Sequence, residues 1–225
     1  MKTKTAKPIT FVAMILDSSG SMESIRTEAI SHFNEQIDTL KKTSKGQTVK
    51  VTFTKFSDEV EMAFINKPLS TLKKISREDY KPNGLTALND AIGLTIEKIQ
   101  ETAKKDLDGK DNVSVLFVIV SDGAENASRK YGGREQIKLK SMITDLTATG
   151  KWNFTYLGAN QNLQYVSQSY GIASGNMMAF EANTSGMLDA SARTSKGTMD
   201  YMILRSVGAT QVSNFYSPDD KDKND

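Results

Sequence analysis

Residues 9–22, ITFVAMILDSSGSM, decide the fold, because a strongly apolar segment there ends abruptly in small polar residues. Residues 9–16 are almost continuously apolar, which is typical of a strand covered on both faces, as in a parallel sheet. Asp17 follows directly, and three serines and one glycine separate it from Met22. So many hydroxyl groups behind a buried strand indicate either a chain turn or a binding site.

Outward from this strand, helical and strand-like patterns alternate along the chain. Apolar residues recur at helical spacing from Ile25 to Leu40 and predict a helix over 23–42. Period-two alternation on both sides of a short polar turn predicts a hairpin over 48–65 with a half-exposed edge strand. Further strands are predicted over 112–123, 152–160 and 176–182, helices over 85–99, 139–146 and 163–172, and one or two closing helices over 183–213.

This order predicts an α/β, doubly wound fold: a mostly parallel central sheet of about six strands with one antiparallel edge strand and helices on both faces. We expect an N-terminal extension (1–8), a single domain (9–213) and a C-terminal tail (214–225). The last nine residues, SPDDKDKND, contain no apolar residue. The tail is therefore expected to be disordered.

The composition excludes several classes of function. The chain has no cysteine, which excludes disulfides and thiolate chemistry, and its one histidine, His32, is expected at the surface or at its boundary. The net charge of +2 gives no argument for nucleic acid or a membrane surface. The first apolar segment is too short for a secretory signal or a membrane span, so we predict a cytoplasmic protein.

Three polar clusters follow or flank the predicted strands: 17–21, 83–90 and 121–126. In open α/β sheets, ligands bind outside the carboxyl ends of the strands, so this topology brings the clusters together. They supply the carboxylates of Asp17 and Asp122 and the hydroxyls of Ser19, Ser21 and Thr86. A set of oxygen ligands without imidazole or sulfur suits a hard divalent cation such as Mg²⁺.

The segments DSSGSM, GLTAL and VIVSDG resemble, in order and context, the metal-ion-dependent adhesion site of von Willebrand factor type A domains. The resemblance covers about residues 9–180 and implies a Rossmann-like fold. It also implies a metal site in which Asp17, Ser19, Ser21, Thr86 and Asp122 match the five expected ligands. Mg²⁺ is the expected ion, and Mn²⁺ or Ca²⁺ are the alternatives.

The resemblance implies a binding module and not an enzyme. The five ligands leave an open coordination position, which an Asp or Glu side chain of a partner protein would fill. Some bacterial members of the family work beside chaperone-like ATPases or in stress-resistance or assembly systems. We therefore expect a protein partner, such an ATPase or complex being one candidate, and a prokaryotic or phage source.

Two alternatives stay open at this point. One is a Mg²⁺- or Mn²⁺-dependent hydrolase or phosphoryl-transfer enzyme at the same site, for which Glu23 and Glu125 are the only further carboxylates near the motifs. Glu125 is expected to be a solvated rim residue or a helix-start acid. The other is a nucleic-acid binder that uses basic clusters at 41–45, 73–77 and 104–110, although solvated faces explain these lysines and arginines more simply.

Overall fold

The structure is a computed structural model that describes residues 7–216; residues 1–6 and 217–225 lie outside this description. Its six strands form a single sheet in the order β3-β2-β1-β4-β5-β6. All neighbouring pairs are parallel except β2 and β3, which are antiparallel at the edge. The strands are β1 (Ile9–Asp17), β2 (Thr48–Phe56), β3 (Val60–Pro68), β4 (Val113–Ser121), β5 (Trp152–Ala159) and β6 (Met177–Phe180). The predicted fold class is confirmed.

Helices cover both faces of this sheet. They are α1 (Arg26–Thr43), α2 (Leu88–Thr102), α3 (Lys104–Gly109), α4 (Gln136–Ala148), α5 (Leu163–Tyr170) and α6 (Thr184–Ser206). One core lies between the sheet and the pair α1 and α6, and the other lies between the sheet and α2, α4 and α5. No helix within residues 7–216 is long and apolar enough to cross a membrane.

Strand β1 shows why the opening segment is so apolar. Every residue from Thr10 to Asp17 is buried. Val12, Met14 and Leu16 belong to one core, whereas the alternate residues Phe11, Ala13 and Ile15 belong to the other. A strand with helices on both sides needs apolar side chains at successive positions, and it is this requirement that removes the usual alternation.

The predicted closing helices form one helix, α6. Near its end, Arg205 is completely buried and donates hydrogen bonds to the carbonyl oxygens of Ile9, Asn112 and Ala209. Ile9 and Asn112 lie at the amino ends of β1 and β4. This guanidinium therefore fixes α6 to the amino-terminal ends of the central strands, opposite the predicted metal site.

The structure corrects the expected start of the disordered tail. Phe215 is 3% exposed and belongs to the core, and Tyr216 is packed against it. Two large aromatic side chains bury enough apolar surface to hold residues 214–216 against the domain, so the boundary at 214 is wrong. The charged stretch 217–225 lies outside the described residues.

Two further expectations are wrong. Leu85 is not part of a helix: α2 begins at Leu88, and Leu85 is 53% exposed in the preceding loop. Backbone hydrogen bonds from Gly20 to Gly84 and from Asn83 to Ser18 hold that loop against the one that follows β1. His32 is not at the surface but buried on the face of α1 that carries Phe33 and Gln36, where α6 covers it.

Candidate metal centre

The sheet topology puts the two predicted carboxylates side by side. β1 and β4 are hydrogen-bonded neighbours, so Asp17, the last residue of β1, and Asp122, which follows β4, lie at adjacent strand ends. The hydroxyl of Ser121, the last residue of β4, donates to Asp17 Oδ2 at 2.6 Å. This buried bond ties the ends of the two strands together.

A continuous chain of hydrogen bonds joins four of the five predicted residues. The backbone N–H of Ser19 donates to Asp17 Oδ1 at 2.8 Å. The hydroxyls of Ser19 and Ser21 are hydrogen-bonded at 3.2 Å. The hydroxyl of Ser21 then donates to Asp122 Oδ1 at 2.7 Å. Residues 101 positions apart in sequence are thus brought within one hydrogen bond of each other.

Thr86, the fifth predicted residue, lies against the loop that carries Asp122. Its backbone N–H donates to Asn126 Oδ1 at 2.8 Å, and its carbonyl accepts from the backbone N–H groups of Asn126 and Ala127. A Cβ atom added to Gly123 would lie 3.0 Å from Thr86 Oγ1. The hydroxyl therefore borders this loop, although it is not a member of the hydrogen-bonded chain formed by the other four residues.

The alternation of the D-x-S-x-S segment has a structural cause. Ser18, the residue between Asp17 and Ser19, turns its hydroxyl away and donates it to the carbonyl of Phe56 at 2.9 Å. The Tyr80 hydroxyl donates to the backbone carbonyl of Asp17. Both bonds fix the backbone, which leaves Asp17, Ser19 and Ser21 in the hydrogen-bonded chain that ends at Asp122. Sequence reasoning missed Ser18 and Tyr80, because their partners lie on distant segments.

Glu125, expected as a solvated rim residue or a helix-start acid, binds backbone N–H groups of its own loop and of the first turn of α2. Its carboxylate accepts hydrogen bonds from the backbone N–H groups of Asn89, Ala127 and Ser128 and from the Ser128 hydroxyl. Since Asn89 is in the first turn of α2, these bonds brace the Asp122 loop against that helix. Glu125 is therefore not a solvated rim residue but a partly buried residue that organises the loop.

Asp90 plays a similar part further along the same loop; it ends the predicted polar cluster 83–90, but no role was predicted for it. Its two carboxylate oxygens accept from the backbone N–H groups of Arg129, Lys130 and Tyr131, at 2.8, 3.2 and 2.7 Å. Glu125 on the loop and Asp90 on α2 thus together hold residues 125–131, which follow β4, against that helix. The candidate ligand Asp122 is carried by a firmly anchored segment.

The electrostatics of the two carboxylates favour a bound cation. Burial raises the pKa of Asp17 to about 6, against the opposing effect of its bonds from Ser121 and Ser19. Burial also raises the pKa of Asp122. Neither aspartate is in a salt bridge with a described lysine or arginine. A cation between them would favour the charged form of both.

The donor set is small. Within residues 7–216, no three Asp, Glu or His side chains come together in a metal-binding cluster. What the site offers is two carboxylates and three hydroxyls. This chemistry fits Mg²⁺, which accepts neutral oxygen ligands and water beside one or two carboxylates. A softer metal that prefers sulfur or imidazole would find no ligand here.

Comparison with known proteins gives the family. The family model for the von Willebrand factor type A domain matches residues 12–190. A search of curated proteins found no match.

Solved structures with the same fold include proximal thread matrix protein 1 from the mussel byssus, with a TM-score of 0.56, 16% identity and coverage of 86% of this chain and 48% of that one. Manganese-loaded TRAP protein from Plasmodium vivax has a TM-score of 0.55 and 16% identity, over 82% of this chain and 71% of that one. The pilus adhesin SpaC from Lactobacillus rhamnosus GG has a TM-score of 0.61 and 12% identity, over 89% of this chain and 32% of that one. The chain thus spans about half the length of the mussel protein and a third of the adhesin.

The family match covers most of the chain, and the TM-scores above 0.5 show that these solved structures share its fold. The chain belongs to the von Willebrand factor type A domain family, a family of adhesion and protein-interaction modules.

Proposed function

We propose that the protein is a divalent-metal-dependent protein-interaction module. In this proposal Asp17, Ser19, Ser21, Thr86 and Asp122 hold Mg²⁺, and an Asp or Glu of a partner protein completes its coordination. The observation that carries the proposal is the hydrogen-bonded chain from Asp17 through the two serines to Asp122. Family membership supports the interaction role.

The number of proposed ligands supports an exchangeable coordination position on the ion. Mg²⁺ takes six oxygen ligands in near-ideal octahedral geometry. Five protein oxygens leave one position for water or for a carboxylate of the partner. Mn²⁺ and Ca²⁺ also accept such oxygens and remain alternatives. The ion would supply the attraction for the partner's carboxylate.

The residues of the chain prepare the site for this ion. Each carboxylate oxygen of Asp17 accepts one hydrogen bond, from Ser19 N–H or from the Ser121 hydroxyl, and keeps a further lone pair. The Ser21 hydroxyl uses its proton toward Asp122 and one lone pair to accept from the Ser19 hydroxyl, so one lone pair remains for a cation. The ligands are therefore oriented before any ion binds.

The two further carboxylates that the sequence places near the site, Glu23 and Glu125, are both engaged elsewhere. Glu125 already accepts four hydrogen bonds from its own loop and from α2. Glu23 lies 3.5 Å from the guanidinium of Arg26. With neither carboxylate poised to take a proton from a metal-bound water, we propose a non-enzymatic protein. Turnover of a phosphatase substrate with Mg²⁺ or Mn²⁺ that is lost in Asp122→Ala would overturn this conclusion.

The basic clusters also have partners within the chain. Lys74 pairs with Asp38 at 2.8 Å, and Lys104 pairs with Asp108 at 2.5 Å. The Lys41 ammonium donates to the carbonyl of Leu72. Such local pairing favours solvated faces over a nucleic-acid surface. Steeply salt-dependent binding to random DNA would favour the opposite.

The remaining predictions rest on the resemblance and on the sequence alone. They are a partner that is an ATPase or part of a stress or assembly complex, a cytoplasmic location and a prokaryotic or phage source. The partner is the one that an experiment can reach directly.

A chelator-controlled pull-down tests the proposed function. The protein is immobilised and exposed to extract in Mg²⁺ or in EDTA, and the retained proteins are compared for wild type, Asp122→Asn and the control Asp145→Asn. Asp145 is an exposed aspartate near the end of α4. We expect a partner that is retained only with Mg²⁺, by wild type and the control but not by Asp122→Asn. A partner retained equally in EDTA would contradict the proposal.

A further inference from the structure

We infer that a cleft beside the candidate metal site binds the stretch of partner chain next to the acidic residue, as an extended peptide. In this stretch, an aromatic or apolar side chain lies two positions from the acidic residue. This inference rests on the proposed function. The cleft has a volume of about 500 Å³, within the roughly 300–1,000 Å³ of ligand clefts. Asp122 lines it, so the metal site and the cleft share one surface.

Two buried tyrosines, Tyr156 and Tyr170, support the wall of the cleft. The Tyr156 hydroxyl donates to Gln161 Oε1 at 2.7 Å, and the Tyr170 hydroxyl donates to Asn89 Oδ1 at 2.7 Å. The two rings are stacked with their centroids 6.2 Å apart. Because both rings are buried and both hydroxyls are hydrogen-bonded, the two tyrosines form a fixed wall behind the cleft, and the exposed ring of Tyr165 is the carbon surface that an occupant can contact.

Other lining residues have polar groups to spare. The side chains of Gln136, Asn160 and Ser169 make no hydrogen bond within residues 7–216. Primary amides and hydroxyls both donate and accept, which suits the N–H and C=O groups of an extended peptide. None of the lining residues is a lysine or an arginine, so a phosphate-rich ligand would find no counter-charge in the cleft.

The geometry of an extended chain sets the expected spacing. Side chains two positions apart point to the same side of the strand and are separated by roughly 7 Å. When a carboxylate of the partner binds the metal, the partner side chain two positions away therefore lies over the adjoining cleft. Tyr165 is 67% exposed and lines the cleft, so its ring is free to contact that side chain.

A peptide library is the probe that tests this inference. Random peptides with one fixed aspartate are selected on the intact protein, in Mg²⁺ and in EDTA. The cleft variants are Ser169→Arg, which places a bulky charged side chain in it, and Tyr165→Ala, which removes the exposed ring. The control is Ile203→Ala, which truncates an exposed apolar residue of α6 outside the cleft. Circular dichroism checks that each variant is folded.

We expect wild type to enrich, only with Mg²⁺, peptides with an aromatic or apolar residue two positions from the aspartate. The best peptide should bind the cleft variants about tenfold more weakly, and the control within about twofold, since a buried ring contributes about this much. Mg²⁺-dependent retention of the library without a preference at the flanking positions, or with the same preference in Ser169→Arg, would overturn the inference alone. Binding of the protein to neutral glycans on an array, if the cleft variants abolish it, would also overturn the inference. No Mg²⁺-dependent enrichment by wild type would overturn the proposed function as well.

Discussion

Acid should weaken the fold through His32. This side chain is 1% exposed, and neither Nδ1 nor Nε2 has a hydrogen-bond partner among the described residues. Burial lowers its pKa from 6.5 to about 4. Between these two pKa values, His32 is protonated in the unfolded chain but neutral in the folded chain. The contribution of His32 to the free energy of unfolding is therefore complete above pH 6.5 and declines as the pH falls toward 4. At 1.36 kcal/mol per pKa unit, the loss is roughly 3 kcal/mol.

Asp17 complicates a direct measurement, because its effect has the opposite sign. Its folded pKa is raised from 3.8 to about 6, so its contribution to stability grows as the pH falls through this range. A comparison of wild type with His32→Leu removes this term, since both proteins contain Asp17. A constant offset from the altered packing does not matter, because only the change with pH is interpreted.

The assay is urea unfolding of both proteins in EDTA at several values between pH 7.5 and pH 4. We expect the stability of wild type relative to His32→Leu to fall by roughly 3 kcal/mol over this range. His32 is the only histidine of the chain, so its NMR signal reports the folded pKa without ambiguity. A stability difference that stays constant, or a folded pKa near 6.5, would refute the reasoning.

Three further predictions concern buried polar groups and the site. Arg205→Met should lower stability by about 3–5 kcal/mol in urea unfolding, because the carbonyls of Ile9, Asn112 and Ala209 each lose a hydrogen bond from a charged donor. A loss under about 1 kcal/mol would contradict this. Ser18→Ala should cost about 1 kcal/mol and leave the affinity for Mg²⁺ within about twofold, because its hydroxyl serves Phe56, whereas Ser19→Ala should weaken binding about tenfold or more. Equal losses of Mg²⁺ affinity in Ser18→Ala and Ser19→Ala would refute the conclusion that Ser19, but not Ser18, faces the metal site. In thermal unfolding above pH 7, Mg²⁺ should raise the Tm of wild type but not the Tm of Asp17→Asn. In EDTA the variant should be the more stable protein, because it buries no charge. A Mg²⁺-induced rise in the Tm of the variant, or a variant less stable than wild type in EDTA, would contradict this.

Much of the fold follows from features that are local in sequence. The near-continuous apolar runs of β1 and β4 predict strands covered on both faces, and the alternation of β2 and β3 predicts the edge hairpin. Parallel strands put their carboxyl ends at one edge, which is why Asp17 and Asp122 could be predicted as neighbours. The sequence alone thus predicted the grouping of the polar clusters.

What could not be predicted depends on partners far away in the chain. His32 is buried because α6 covers α1, and nothing near residue 32 shows this. Phe215 is held by the core, although the charged residues after it predict a disordered tail. Glu125 organises a loop through backbone N–H groups, which have no sequence signature. Each error comes from a tertiary contact that overrides a local tendency.

The most direct test of the account is a calorimetric titration of Mg²⁺ into metal-free protein. Wild type is compared with Ser21→Ala and Asp122→Asn, which change the site without removing a core side chain, and with the control Asp145→Asn. We predict saturable binding of one ion by wild type and by the control, with binding about tenfold or more weaker in the two site variants. Identical binding heats for wild type and Asp122→Asn, or no binding by wild type, would contradict the proposed metal site.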